Sequence, residues 1–274
     1  MSTMTAMTTR PDSTGAGLAG TIASEWTKLW SVRSTWWCLA GAAAMMAVFG
    51  GSVGHGAGNR PDPPAGMPPA DQMLPVEYAA MGALLLAQFA LITLAVLVIT
   101  SEYASGSIRS TLLWDPRRGR VLLAKAVVLA VVMLVAGTAV AALAAVAADL
   151  LAGKYGLFVF SDVAAASLRI GCHMAAAALF ALGAGTVIRS TAGALTTTFV
   201  LFLVAPYVVS QAASDLLVAV ANHLPGLAGM EYIGTTGFLG IDVPYSPSGG
   251  LAILLAWTAA ALLTGYAVLR MRDA

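Results

Sequence analysis

The chain has 274 residues, of which 59% are apolar and only 10% charged, with a formal net charge of +1. A soluble domain carries roughly 25% charged residues, so a water-solvated globular fold is excluded and lipid must be the solvent for much of this surface. The net charge by itself says nothing about nucleic acid, and no nucleic-acid partner is expected.

In chain order, residues 1–17 are rich in Thr, Ser, Gly and Met, show no periodicity, and read as a disordered cytoplasmic tail. Over residues 18–34 the pattern becomes helical. Leu18, Ile22, Trp26, Leu29 and Trp30 fall on one face, and Thr21, Ser24, Thr27, Lys28 and Ser31 on the other. With Glu25 included, this is an amphipathic helix too polar to span. It suits either the headgroup plane, where Trp beside Lys is at home, or another protein surface. The long polar lead before the first apolar run argues against a cleaved signal peptide.

Six apolar runs follow, at about residues 35–53, 75–100, 119–150, 163–188, 192–214 and 251–269. Most reach the roughly 20 residues that cross a bilayer core. The fold class is therefore all-α: a polytopic membrane domain over residues 35–274, preceded by an interfacial helix. Residues 54–74 are too dense in Pro and Gly for a helix and read as a flexible external loop. The third run is long enough to project beyond the membrane at its basic start. Residues 189–191 make a tight turn, so spans 4 and 5 are antiparallel neighbours. Pro206 should kink span 5 and leave a carbonyl that needs a partner inside the bundle. Residues 215–250 are too short in pieces to span and too apolar for a free loop, and read as short re-entrant or interfacial helices on the external side.

Charge sets the orientation. With both termini cytoplasmic, only Arg60, Lys154 and Arg169 of the 14 Lys and Arg lie outside or at the outer interface. The reverse orientation inverts that bias, so both termini are placed inside a multi-pass protein of the cytoplasmic (plasma) membrane.

The charge-dense stretch is residues 100–125, TSEYASGSIRSTLLWDPRRGRVLLAK, between spans 2 and 3. Ile108, Leu112 and Leu113 can form the apolar face of a short helix in the 101–118 loop. Arg109 and Asp115 remain for polar contacts, and Pro116 stops the helix. The plain alternative is a loop retained on the inside by its Arg residues. Glu102 stands at the membrane boundary, where an acid needs water or a basic partner from the interfacial helix or the loop. Within the spans, Gln88, His173 and Gln211 are candidates for helix–helix hydrogen bonds or for a translocation path. Cys38 and Cys172 lie in apolar runs and indicate no disulfide framework. His55 has no second ligand type beside it, so no metal site is expected. No G-x-x-x-x-G-K-[ST] phosphate loop, H-E-x-x-H or G-x-S-x-G occurs, so no catalytic residue and no bound cofactor are assigned to this chain.

Residues 24–37, SEWTKLWSVRSTWW, resemble the amphipathic helix that leads into type-2 ABC exporter permeases. Residues 102–125, EYASGSIRSTLLWDPRRGRVLLAK, resemble the loop between their second and third spans; Trp114 and Asp115 depart from the small residues usual there. The resemblance implies a permease subunit without ATPase activity of its own. ATP and Mg would sit on a separate ABC ATPase subunit, and a second permease would complete a homo- or heterodimer in membrane lipid. It further implies that Glu102, Ile108, Arg109, Leu112, Leu113, Asp115, Arg117 and Arg118 form the coupling region toward that ATPase. Sparse intramembrane charge favours an amphiphilic or apolar cargo. The rival readings are a membrane scaffold or regulatory protein that transports nothing, and a secondary transporter, which would need ion-coupling residues and repeated halves that are not seen.

Overall fold

The computed structural model describes residues 17–61, 73–114, 117–210, 214–239 and 241–271. The expected tail and most of the 54–74 loop lie outside the described residues, as do Asp115, Pro116 and Gln211.

Eleven α-helices are described. The amphipathic pattern becomes α1, Leu18–Ser31, and Val32 with extended backbone separates it from α2, Arg33–Gly58. Span 2 is α3, Glu77–Ser105, and the loop helix is α4, Ser107–Trp114. Gly106 between them has φ 71°, a left-handed geometry open to glycine at little cost, and it turns the chain while its N–H caps Tyr103 O. Span 3 is α5, Arg118–Ala152, 35 residues or about 52 Å at 1.5 Å per residue, longer than a bilayer core. Span 4 is α6, Phe160–Ile188, ending at Arg189 with φ 59°. Span 5 comprises α7, Thr191–Phe199, a π-helical turn over Val200–Val204, and α8, Ala205–Ser210. Next come α9, Asp215–Asn222, α10, Pro225–Ile233, and span 6 as α11, Pro247–Met271. Six stretches are long and apolar enough to cross a membrane, so the expected all-α polytopic architecture is present.

Helix α6 is the centre of the bundle: 72% of its most apolar window is buried, against 17% for α11 at the periphery. Close approach of backbones holds the spans together. A Cβ at Gly50 would lie 2.3 Å from the Ala144 carbonyl oxygen, and one at Gly54 2.1 Å from that of Ala148, so a stripe of small residues seats α2 on α5. In lipid, where apolar side chains gain nothing by leaving the solvent, such contacts drive helix association. Polar ties reinforce the packing: Thr258 donates to Ala176 O across α11 and α6 (3.1 Å), and Arg118 Nη1 donates to Leu269 O at the end of α11 (2.7 Å).

Three local features differ from the sequence expectation. Helix α2 runs to Gly58, past the expected end of span 1, because its glycines are packing positions rather than breakers. Leu74–Pro75 forms a two-residue strand, β1, parallel to β2, Gly156–Leu157, so span 2 begins at Glu77 after a backbone tie to the end of span 3. The kink expected from Pro206 takes the form of the preceding π turn, in which Ala205 N–H bonds Val200 O. Pro206 has no N–H for the Phe202 carbonyl four residues earlier. That carbonyl lies against Gly226 of α10, where a Cβ would be 2.3 Å from it. Helix α10 is accordingly buried in the bundle against span 4, the π turn and span 6, with Gly226, Leu227, Ala228 and Gly229 all inaccessible.

Candidate functional site

The chemistry-bearing residues converge where α1 crosses the end of α3 and the start of α5. On α1 the buried stripe is Thr21, Glu25 and Leu29, one residue per turn. Leu29 belongs to the apolar face read from the sequence, but Glu25 turns inward too. The reason is Lys125, two turns into α5 and 2% exposed within the apolar run that begins at Val121. Lys125 Nζ donates to Glu25 Oε2 at 2.6 Å and to Glu102 Oε1 at 2.7 Å. Lys28 Nζ completes the ring, donating to Glu25 Oε1 at 2.8 Å and Glu102 Oε1 at 3.1 Å, and reaching Thr111 Oγ1 of α4 at 3.4 Å. Two carboxylates and two ammoniums thus bind three elements distant in sequence, and α4 is held beside them.

An isolated charge here would be strongly disfavoured, so each ion is tolerated only through the others. Burial pulls the Lys28 ammonium toward neutrality, but its bonds to Glu25 and the charge of Glu102 outweigh this and raise its pKa above the usual 10.5. A raised folded-state value stabilises the fold fully below the unfolded value and loses that contribution as pH climbs through the folded one. The Lys28-dependent part of the melting temperature should therefore be constant through the neutral range and decline only above 10.5. A difference between parent and Lys28→Met melts that shrinks on acidification from neutrality would contradict this assignment.

Beside the ring lies a cavity of about 500 Å³, bounded by α1, the α1–α2 junction, α3, α4 and α5. Trp26, Trp30 and Trp36 form an aromatic ladder along α1 and its junction with α2, with ring centroids 5.6 and 5.2 Å apart. Trp26, Trp36 and the neighbouring Trp37 are well exposed, and Ile22 and Trp30 pack on the core.

The coupling-loop residues fall in different places. Ile108 is 3% exposed and fastens α4 to the bundle, whereas Leu113 is 83% exposed. Five residues of α-helix rotate a side chain by about 500°, so these two cannot share a face, contrary to the sequence expectation. Arg109 and Leu112 lie on α4 itself. Arg117 is exposed, and Arg118 caps α11 through Leu269 O rather than standing free. Elsewhere, Gln88 and His173 meet: His173 Nε2 and Gln88 Oε1 are 3.2 Å apart in the buried interior. The His173 ring rests on Gly229 of α10, where a Cβ would be 2.3 Å from Cε1. Cys38 and Cys172 are both free thiols.

Sequence reasoning missed Lys125 as the keystone of the ring. The signal was the stretch VLLAKAVVL, since a Lys inside an apolar run calls for an acidic partner.

Six stretches long and apolar enough to cross a membrane, an amphipathic N-terminal helix and a short helix in the basic loop define a multi-pass membrane protein with a polar centre where α1, α3 and α5 meet. A family model described as "ABC-2 family transporter protein" matches residues 21–205, more than half of the chain and the whole segment that builds this centre. The chain belongs to the ABC-2 transporter family and is a transporter permease. No curated protein matches it.

Proposed function

We propose that this chain is the membrane-spanning permease subunit of an ATP-driven exporter, coupled through α4 to a separate ATPase subunit. The observation that carries the reading is the construction of α4: one side anchored through Ile108, the other presenting Leu113 outward, beside an ionic ring joining α1, α3 and α5. A stranded apolar residue on a short, basic, interfacial helix fits a small partner groove. Closure of two ATPases on ATP and Mg would press α4. Gly106 would act as the pivot, and the ring would carry the displacement into α1 and spans 2 and 3. A second permease would complete the translocation path. Export is the direction favoured by the family resemblance, with α4 and both termini cytoplasmic in the plasma membrane and α9 and α10 on the far side.

The test is copurification of the ATPase subunit from native membranes. Leu113→Ser should reduce ATPase recovery about tenfold, since exposed apolar anchors dominate small interfaces. Arg109→Glu should also weaken it, with less salt sensitivity than the parent pair. Parental recovery with both variants would leave the loop as a topology signal and favour the scaffold reading.

Orientation has its own readout. In a Cys38→Ala, Cys172→Ala background, Arg60→Cys should label from outside with an impermeant thiol reagent and Ser107→Cys should not. Reversed labelling would overturn the topology.

A further inference from the structure

The ionic ring is neutral as a set, but it does not present its charges equally. The Glu25 and Lys125 side chains are 3% and 1% exposed and that of Glu102 11%, whereas 44% of the Lys28 side chain is open. All four ring residues line the adjacent cavity of about 500 Å³, and among them Lys28 is by far the most open. The exposed Ser101, Ser105 and Ser110 line the same cavity, and its deeper wall is apolar, including Leu97, Val98 and Val128. A volume of this size, mostly apolar with a few convergent polar groups, is typical of a small-molecule site. The exposed Trp36 and Trp37 beside it suit the headgroup level of a membrane. The basic stretch carrying Arg109, Arg117, Arg118 and Arg120 lies on the same side and draws anionic lipid toward it.

We infer that this cavity holds an anionic phospholipid, with its phosphate against Lys28 and the serine hydroxyls and an acyl chain along the Leu97, Val98 and Val128 wall. A free phosphate would leave the apolar wall bare, and a cationic amphiphile would be repelled by Lys28. The inference needs only the membrane location of the chain; it is independent of ATPase docking.

The experiment uses the full chain in nanodiscs of phosphatidylcholine with a minority of phosphatidylglycerol, followed by native mass spectrometry of the lipids that stay bound. The parent should retain phosphatidylglycerol over phosphatidylcholine by about fivefold, the preference of one interfacial cation for an anionic head. Lys28→Gln should make retention of the two equal. Lys28 is part of the ring, so Ser101→Trp supplies a second arm: the Ser101 hydroxyl donates to Leu97 O within its own helix and is no member of the ring, and an indole there would occupy the cavity. This variant should lose the retained phosphatidylglycerol while melting like the parent. Excess glycerol phosphate should not displace the lipid. Equal retention of both lipids by the parent, parental retention by Ser101→Trp, or full displacement by glycerol phosphate would each overturn the inference, the last by showing a site for a soluble phosphate.

Discussion

Lys125→Met should be the most damaging single substitution outside the helix contacts, costing about 3–5 kcal/mol and sharply lowering the melting temperature of the purified protein. Methionine fits the aliphatic space but leaves Glu25 and Glu102 facing each other, with only the half-open Lys28 to balance them. The loss comes from stranding two buried carboxylates rather than from the intrinsic worth of the bonds. That distinction is testable. Lys125→Met combined with Glu25→Gln leaves one acid and one base, and should recover most of the lost stability even though three of the four ion pairs are deleted. If the double variant is as unstable as the sum of its parts, the ring is not an electrically coupled unit.

Gly50→Leu with Gly54→Leu should have an effect of similar size by a different route. Side chains at these positions would begin within 2.3 and 2.1 Å of the Ala144 and Ala148 carbonyl oxygens on the facing backbone of α5, which cannot move aside as a flexible side chain could. Overpacking of this kind costs about 1–3 kcal/mol per site. Helix α2 would have to withdraw along its whole contact with α5, carrying α1 and Glu25 with it. Insertion should be unaffected or improved, since leucine raises the hydropathy of the span, while the folded monodisperse form should be lost in size-exclusion chromatography. Gly56→Leu on the same helix is the control, because a Cβ there meets nothing within 4 Å. Equal behaviour of the control and the double variant would show that helix propensity, rather than backbone contact, sets the outcome.

The residues on which these two experiments act were unequally visible beforehand. Apolar runs of spanning length, the amphipathic period of residues 18–34 and the distribution of Lys and Arg were enough for an all-α polytopic chain with one basic interfacial loop, because hydropathy and charge act along the chain one segment at a time. The helix of that loop was legible from Ile108 to Leu113, yet only its packing shows that Ile108 is an anchor and Leu113 is offered outward. Gly54 reads from the sequence as part of a loop too rich in Pro and Gly for a helix; the facing Ala148 of span 3 makes it, like Gly50 against Ala144, a packing seat. The freed Phe202 carbonyl was foreseeable from Pro206, but not that Gly226 of a buried α10 would come to lie against it.

What the chain determined by itself was the set of segments that must leave water and the loop in which its cations cluster. Which ion meets which was decided by tertiary structure. Glu25 and Lys125 are 100 positions apart, and periodicity places Glu25 beside the polar residues of an interfacial helix with no hint that it faces inward. A charge is buried only where an opposite charge stands within bonding distance. That distance exists only after α1, α3 and α5 have packed.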